Sequence, residues 1–170
     1  MNDIKPIETH YKGYRFRSRL EARWAVFFDA IGIEWEYEKE GYNLGKMGYY
    51  LPDFWLPYPP EKYDSPFPNS GHWLEVKGIE PKKEEIDKLL ELSRITNHSG
   101  ILVVGIPGKH KQLNTHRNGN FHWQDSSIAN FLTNAELNCG MIECRFGTKG
   151  NIKDAIIQAN SARFEFGENG

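Results

Sequence analysis

The chain has 170 residues, 39% of them hydrophobic, 14% aromatic and 26% charged, with a formal net charge of −2. This fits one globular domain and excludes wholesale disorder and a uniformly basic nucleic-acid coat. The longest stretch without a polar side chain, Gly100–Gly108, falls far short of the ~20 apolar residues of a membrane helix, so no membrane partner is expected.

Two cysteines, Cys139 and Cys144, make no disulfide framework, and Met1–Pro6 has no apolar signal region. The expected setting is a reducing cytoplasm. Charge is unevenly spread along the chain. Residues 1–20 carry Lys5, Lys12, Arg15, Arg17 and Arg19 against Asp3 and Glu8. Residues 34–40 carry four glutamates against Lys39. A locally basic end on a near-neutral body suits a protein that meets a polyanion in one place.

His10–Arg17 alternates around Gly13 and reads as a hairpin or extended arm. Ser18-Arg-Leu-Glu21 is a capping-box pattern, and Leu20, Trp24, Phe27, Phe28 and Ile31 follow at helical spacing up to Gly32. The spacing predicts a helix over 19–31. Residues 33–44 read as extended, with Glu34, Glu36, Glu38 and Glu40 on one face and Ile33, Trp35 and Tyr37 on the other. Tyr49–Pro57 is a second strand. The four prolines of Tyr58–Gly71 mark a loop, and His72–Ile79 is a third strand. Pro81 opens a helix over 82–96, and Ile101–Ile106 is a buried strand. Strand, helix and strand make a βαβ unit with parallel strands. Lys109–Asn120 is polar and reads as a loop. Ser126–Ala135 is read as a short helix, Met141–Phe146 as a strand, and Asn151–Arg163 as a helix.

Three short segments carry chemistry. Glu75 and Lys77 lie two apart on a strand and project from one face, while Leu74 and Val76 project from the other. Asp53 sits among Phe54, Trp55 and Leu56, and Pro52 makes the strand irregular there. A carboxylate in that setting is costly unless paired or metal-bound. Glu21 either completes the capping box with Ser18 or points at the sheet. Three carboxylates with no His or Cys suit Mg²⁺ or Mn²⁺, and a nearby lysine can orient a water or neutralise charge. Such groups fit phosphodiester hydrolysis. Lys12, Arg15, Arg17 and Arg19 surround the start of the first helix and are candidates for backbone phosphates. His110, His116 and His122 are evenly spaced, but no CxxC pair accompanies them and the spacing matches no zinc finger.

The Pro52-Asp53 and Glu75-Val76-Lys77 motifs, after a helix bearing Glu21, resemble the PD-(D/E)xK (restriction-endonuclease-like) nuclease superfamily. The stretches FRSRLEARWAVFFDAIGIEWEYE, YLPDFWLP and ANSARFEFGE resemble phage-encoded members, near the transposon-end-cleaving (TnsA-like) and Holliday-junction-resolvase types. The resemblance implies an α/β fold with an αβββαβ core, a central mixed β-sheet flanked by helices, and a C-terminal α+β extension. It implies a single nuclease domain over 1–170, with the core at about 8–106 and the extension at about 107–170.

By the same resemblance, Asp53, Glu75 and the Val76 carbonyl bind Mg²⁺ (or Mn²⁺), and Lys77 positions or activates water. Glu21 completes the metal site or binds a second ion. The implied activity is a DNA endonuclease leaving 5′-phosphate ends, in a bacterial cell or phage-infected host. Cutting two strands favours a homodimer or a partner subunit. The rival readings are a catalytically idle DNA-binding or assembly module, and a structure-selective resolvase or transposase-type subunit active only in a complex.

Overall fold

A computed structural model describes residues 6–58, 70–116, 118–125 and 151–164. Most of the proline-rich loop, the helix read at 126–135, the strand read at 141–146, Cys139, Cys144 and the end of the ANSARFEFGE stretch lie outside the described residues.

The amino-terminal segment forms a hairpin of β1 (Thr9–Tyr11) and β2 (Tyr14–Phe16), turning through Lys12 and Gly13. Helix α1 spans Arg19–Ile31, the range the periodicity predicts. Ser18 Oγ accepts the Glu21 N–H at 3.2 Å and so satisfies one orphan donor of the first turn. Gly32, at φ 73°, closes the other end in a left-handed conformation that a side chain would resist.

Beyond α1 the expected long strand over 33–44 shrinks to β3, Glu36–Tyr37. Glu38 adopts φ 45° and ends the alternation of the four glutamates. Its N–H instead donates to the Asp53 carbonyl at 2.9 Å. Tyr42–Asn43 (β4) pairs with Tyr49–Tyr50 (β5) in a separate hairpin around the 3₁₀ turn Gly45–Met47. The strand expected at 49–57 is therefore two strands. Pro52-Asp53 divides β5 from β6 (Phe54–Pro57).

The main sheet has six strands. Strands β7 (Gly71–Lys77), β8 (Gly100–Ile106), β9 (Lys109–Thr115) and β10 (Phe121–Asp125) join β3 and β6 in the order β10-β9-β8-β7-β6-β3. Every neighbouring pair is antiparallel except β7–β8, which is parallel as the βαβ reading requires. Helix α2 (Lys83–Thr96) makes that connection, and α3 (Ile152–Ser161) lies against α1. The protein is thus mixed α/β, with helices on both faces of the sheet. Among the described residues no helix is long and apolar enough to cross a membrane.

The polar reading of Lys109–Asn120 as a loop is corrected by β9. Only Leu113 is aliphatic there, yet His110, Gln112, Asn114 and Thr115 are all buried. Their polar groups are partly satisfied inside the fold. Gln112 Nε2 donates to Asn114 Oδ1 at 2.6 Å, and Thr115 Oγ1 lies 2.6 Å from Ser93 Oγ of α2. Hydropathy alone does not register a strand whose buried side chains bond one another. Gly100 lets this layer close, because a Cβ there would lie 2.7 Å from Thr115 Oγ1 and 2.8 Å from Leu89 Cδ1.

Alternation along β6, β7 and β8 sends side chains to two cores. Phe54, Leu56, Leu74, Val76, Ile101 and Val103 join Trp24, Phe27, Phe28 and Ile31 of α1. Trp55, Trp73 and Leu102 join Leu89 and Leu92 of α2. Each large side chain buried in this way contributes about 2 kcal/mol. Both faces of β7 are therefore covered, and Glu75, which shares the α2 side with Trp73, is buried.

His110 packs edge-on against the Trp24 ring, and burial pushes its imidazole down to about 4. The unfolded chain then binds a proton between about pH 6.5 and 4 that the folded protein refuses, so this contribution to stability falls with pH across that window. Chemical denaturation should show wild type losing about 2 kcal/mol more than His110→Phe between pH 7 and pH 5. Equal losses would contradict a neutral, buried His110.

Candidate active site

Strand β6 pairs with β7 only from Phe54↔Leu74 to Pro57↔Gly71, so β7 runs on past its partner through Glu75, Val76 and Lys77. Asp53, just outside the ladder, fills the gap. Its Oδ2 accepts the Val76 N–H at 2.7 Å. An extended residue directs its N–H and carbonyl to the same side, so the Val76 carbonyl also points toward the gap. The bend made by Pro52 explains why a carboxylate rather than a ladder carbonyl meets that amide.

Glu75 lies on the α2 side of the sheet. Its Oε2 accepts the Tyr50 hydroxyl at 2.9 Å, and its Oε1 is 2.9 Å from Lys77 Nζ. The same ammonium is 2.7 Å from Glu85 Oε1. Glu85 is the third residue of α2, and its Oε2 accepts the Lys82 N–H at 2.8 Å. One side chain therefore both caps the helix and braces the lysine. Burial works to lower Lys77, but Glu75 beside it and the Glu85 hydrogen bond outweigh that and raise it above its ordinary value. Lys77 is held as an ammonium.

Glu21 approaches from α1, on the opposite side of the sheet. Its Oε1 accepts Ser18 Oγ at 2.6 Å, and its Oε2 accepts the Tyr37 hydroxyl at 2.6 Å and the Arg17 N–H at 3.1 Å. The capping interaction is thus displaced by one residue from the simple box, which would use the Ser18 N–H. Glu21 is buried beside the site, with both oxygens engaged by protein groups.

The basic residues separate in space. Arg17 reaches the centre, with one guanidinium nitrogen 3.4 Å from Asp53 Oδ1 and 2.5 Å from Glu38 Oε1. The latter contact is an ion pair with Glu38. Arg15 pairs with Glu8 at the surface. Lys12 lies 3.1 Å from Asp29, in the last turn of α1 and about 12 Å along the helix from Glu21. Arg19 lies in the first turn of α1.

The three carboxylates Glu21, Asp53 and Glu75 act on one another at different strengths. Burial first, then Glu75, then Glu21 push Asp53 well above the usual carboxylate range, against the pull of the Val76 N–H and of Arg17. Among the described residues no group of three or more His, Cys, Asp or Glu side chains forms a ready metal cluster. Glu75 lies near enough to act electrostatically on Asp53, and the Val76 carbonyl is directed to the gap that Asp53 fills. Hard oxygens in this number fit Mg²⁺, which keeps waters and uses one or two carboxylates together with substrate phosphate.

Tyr50, Tyr37, Glu38 and Glu85 were not read from the sequence as site residues. Only Glu85 carries a signal, as an acidic residue in the first turn of the helix that follows Lys77. The chain matches no family model, no curated protein and no solved structure.

Because ionised Asp53 is buried against other carboxylates, Asp53→Asn should stabilise the protein in EDTA at pH 8, by on the order of 1 kcal/mol in urea denaturation. Its amide oxygen can still accept the Val76 N–H. A loss of stability would mean that the Arg17 pairing outweighs the repulsion.

Proposed function

We propose that the chain is a metal-dependent DNA endonuclease with a restriction-endonuclease-like core, hydrolysing phosphodiester bonds to leave 5′-phosphate and 3′-hydroxyl ends. The observation that carries this reading is the meeting of Asp53 with Glu75-Val76-Lys77 where β7 outruns β6. Asp53 and Glu75, with the Val76 carbonyl, would hold Mg²⁺ or Mn²⁺. When bound, the ion would polarise the scissile phosphate and lower the pKa of a coordinated water.

The chain's own groups divide the remaining work. Asp53 is fixed by the Val76 N–H, and Glu75 by the Tyr50 hydroxyl, so neither carboxylate must be ordered during the reaction. Lys77, braced between Glu75 and Glu85, is suited to orienting the attacking water and neutralising charge on the phosphate. Acting as a proton acceptor would first require it to lose a proton that both carboxylates help to keep. Glu21 fixes the Arg17 backbone and adds negative potential at Asp53, a positioning role. Arg17, on the exposed rim, is the basic residue best placed for a backbone phosphate. One such site serves one strand, so a double-strand break would need a second copy or a partner subunit.

Supercoiled plasmid at low salt with Mg²⁺ or Mn²⁺ should be converted to nicked circles, and EDTA should abolish this. Lys77→Ala and Asp53→Asn should each lower the rate by about 100-fold or more. Metal-independent nicking, or full activity in both variants, would contradict the assignment. No cleavage of plasmid or branched DNA by folded protein would favour the idle binding module.

A further inference from the structure

Arg17 is held unusually. Its backbone N–H is fixed twice, to Glu21 Oε2 at 3.1 Å and to the Tyr37 hydroxyl at 3.0 Å. Its side chain is 56% exposed and shared between buried Asp53, at 3.4 Å, and Glu38, at 2.5 Å. Glu38 stays beside Asp53 because its N–H donates to the Asp53 carbonyl. The anchor is therefore rigid and the guanidinium is at the surface, with a long contact to the carboxylate it helps to neutralise. Arg17 pairs with Glu38 and Asp53, Lys77 pairs with Glu75 and Glu85, and Glu21 accepts the Arg17 N–H alongside two hydroxyls. A guanidinium beside Asp53 opposes a metal ion at the same carboxylate, because like charges compete for one anion.

We propose that Arg17 is the internal counter-ion of the metal-free site and exchanges Asp53 for a DNA phosphate when a divalent cation arrives. This rests on the nuclease reading above. Arg17 would thereby couple the two ligands. Metal frees a cation for the backbone, and a phosphate on Arg17 removes the competitor from Asp53. By linkage each ligand strengthens the other. Glu38 gives the guanidinium a second resting place at the rim, so leaving Asp53 does not leave Arg17 without a counter-charge.

The test is Mn²⁺ titration of the full chain by calorimetry without DNA, together with duplex binding in EDTA and in Mn²⁺. Arg17→Gln should bind Mn²⁺ about fivefold or more tighter than wild type. It should also lose the Mn²⁺-dependent gain in duplex affinity and reduce the salt slope of binding by about 1. Arg17→Lys, which keeps the charge but not the planar fork, should fall between the two, and it replaces Arg17→Gln as the test if near-UV circular dichroism shows that variant unfolded. Unchanged or weaker Mn²⁺ affinity in the folded variant, with wild-type binding that depends on Asp53, would overturn the exchange and leave the metal site standing. No Mn²⁺ binding by wild type would overturn both.

Discussion

Where the β6–β7 ladder ends, the Val76 amide is taken by a carboxylate instead of a strand, and the site is built outward from that bond. A buried amide must be satisfied, and the bend at Pro52 brings Asp53 into the position a ladder carbonyl would otherwise hold. The bond fixes Asp53 next to the one strand that offers Glu75 and Lys77 on a common face. It also leaves the Val76 carbonyl directed at the same gap. The cost is a buried anion beside other anions, which the fold offsets with one amide and a long contact to Arg17.

Two helices supply the outer parts of the site from opposite sides of the sheet. Helix α1 brings Glu21, which spends its oxygens on Ser18, Tyr37 and the Arg17 backbone. Helix α2 brings Glu85, which caps its own helix and braces Lys77. Each carboxylate does local structural work, while Glu21 also adds negative potential at Asp53 and Glu85 acts on the centre through Lys77. That arrangement separates groups that would contact metal or phosphate from groups that hold them in place.

Much of this was legible in the sequence, for physical reasons that differ by element. Helix α1 announced both ends through Ser18 and Gly32 and its face through Trp24, Phe27, Phe28 and Ile31. The parallel β7–β8 pair followed from an apolar run and an intervening amphipathic helix. Strand β9 was hidden because Gln112, Asn114 and Thr115 are polar and bond within the fold, so their burial leaves no hydropathic trace. The alternating glutamates suggested a long strand, but Glu38 turns the chain in a conformation that no periodicity encodes. Nearness in sequence also misled. Lys12 and Arg17 are five residues apart, yet they pair with Asp29 and Asp53 in different places, because Lys12 sits in the hairpin turn and Arg17 just past the far end of β2.

The proposed activity requires Asp53 and Glu75 to form one cation site rather than two independently paired carboxylates. Diffraction from crystals soaked in Mn²⁺, with an anomalous difference map at the manganese edge, tests this directly. A single cation site predicts a peak within ligand distance, about 2.2 Å, of oxygens from both Asp53 and Glu75. A peak confined to surface carboxylates, with the Lys77–Glu75 and Arg17–Asp53 pairs unchanged, would contradict it.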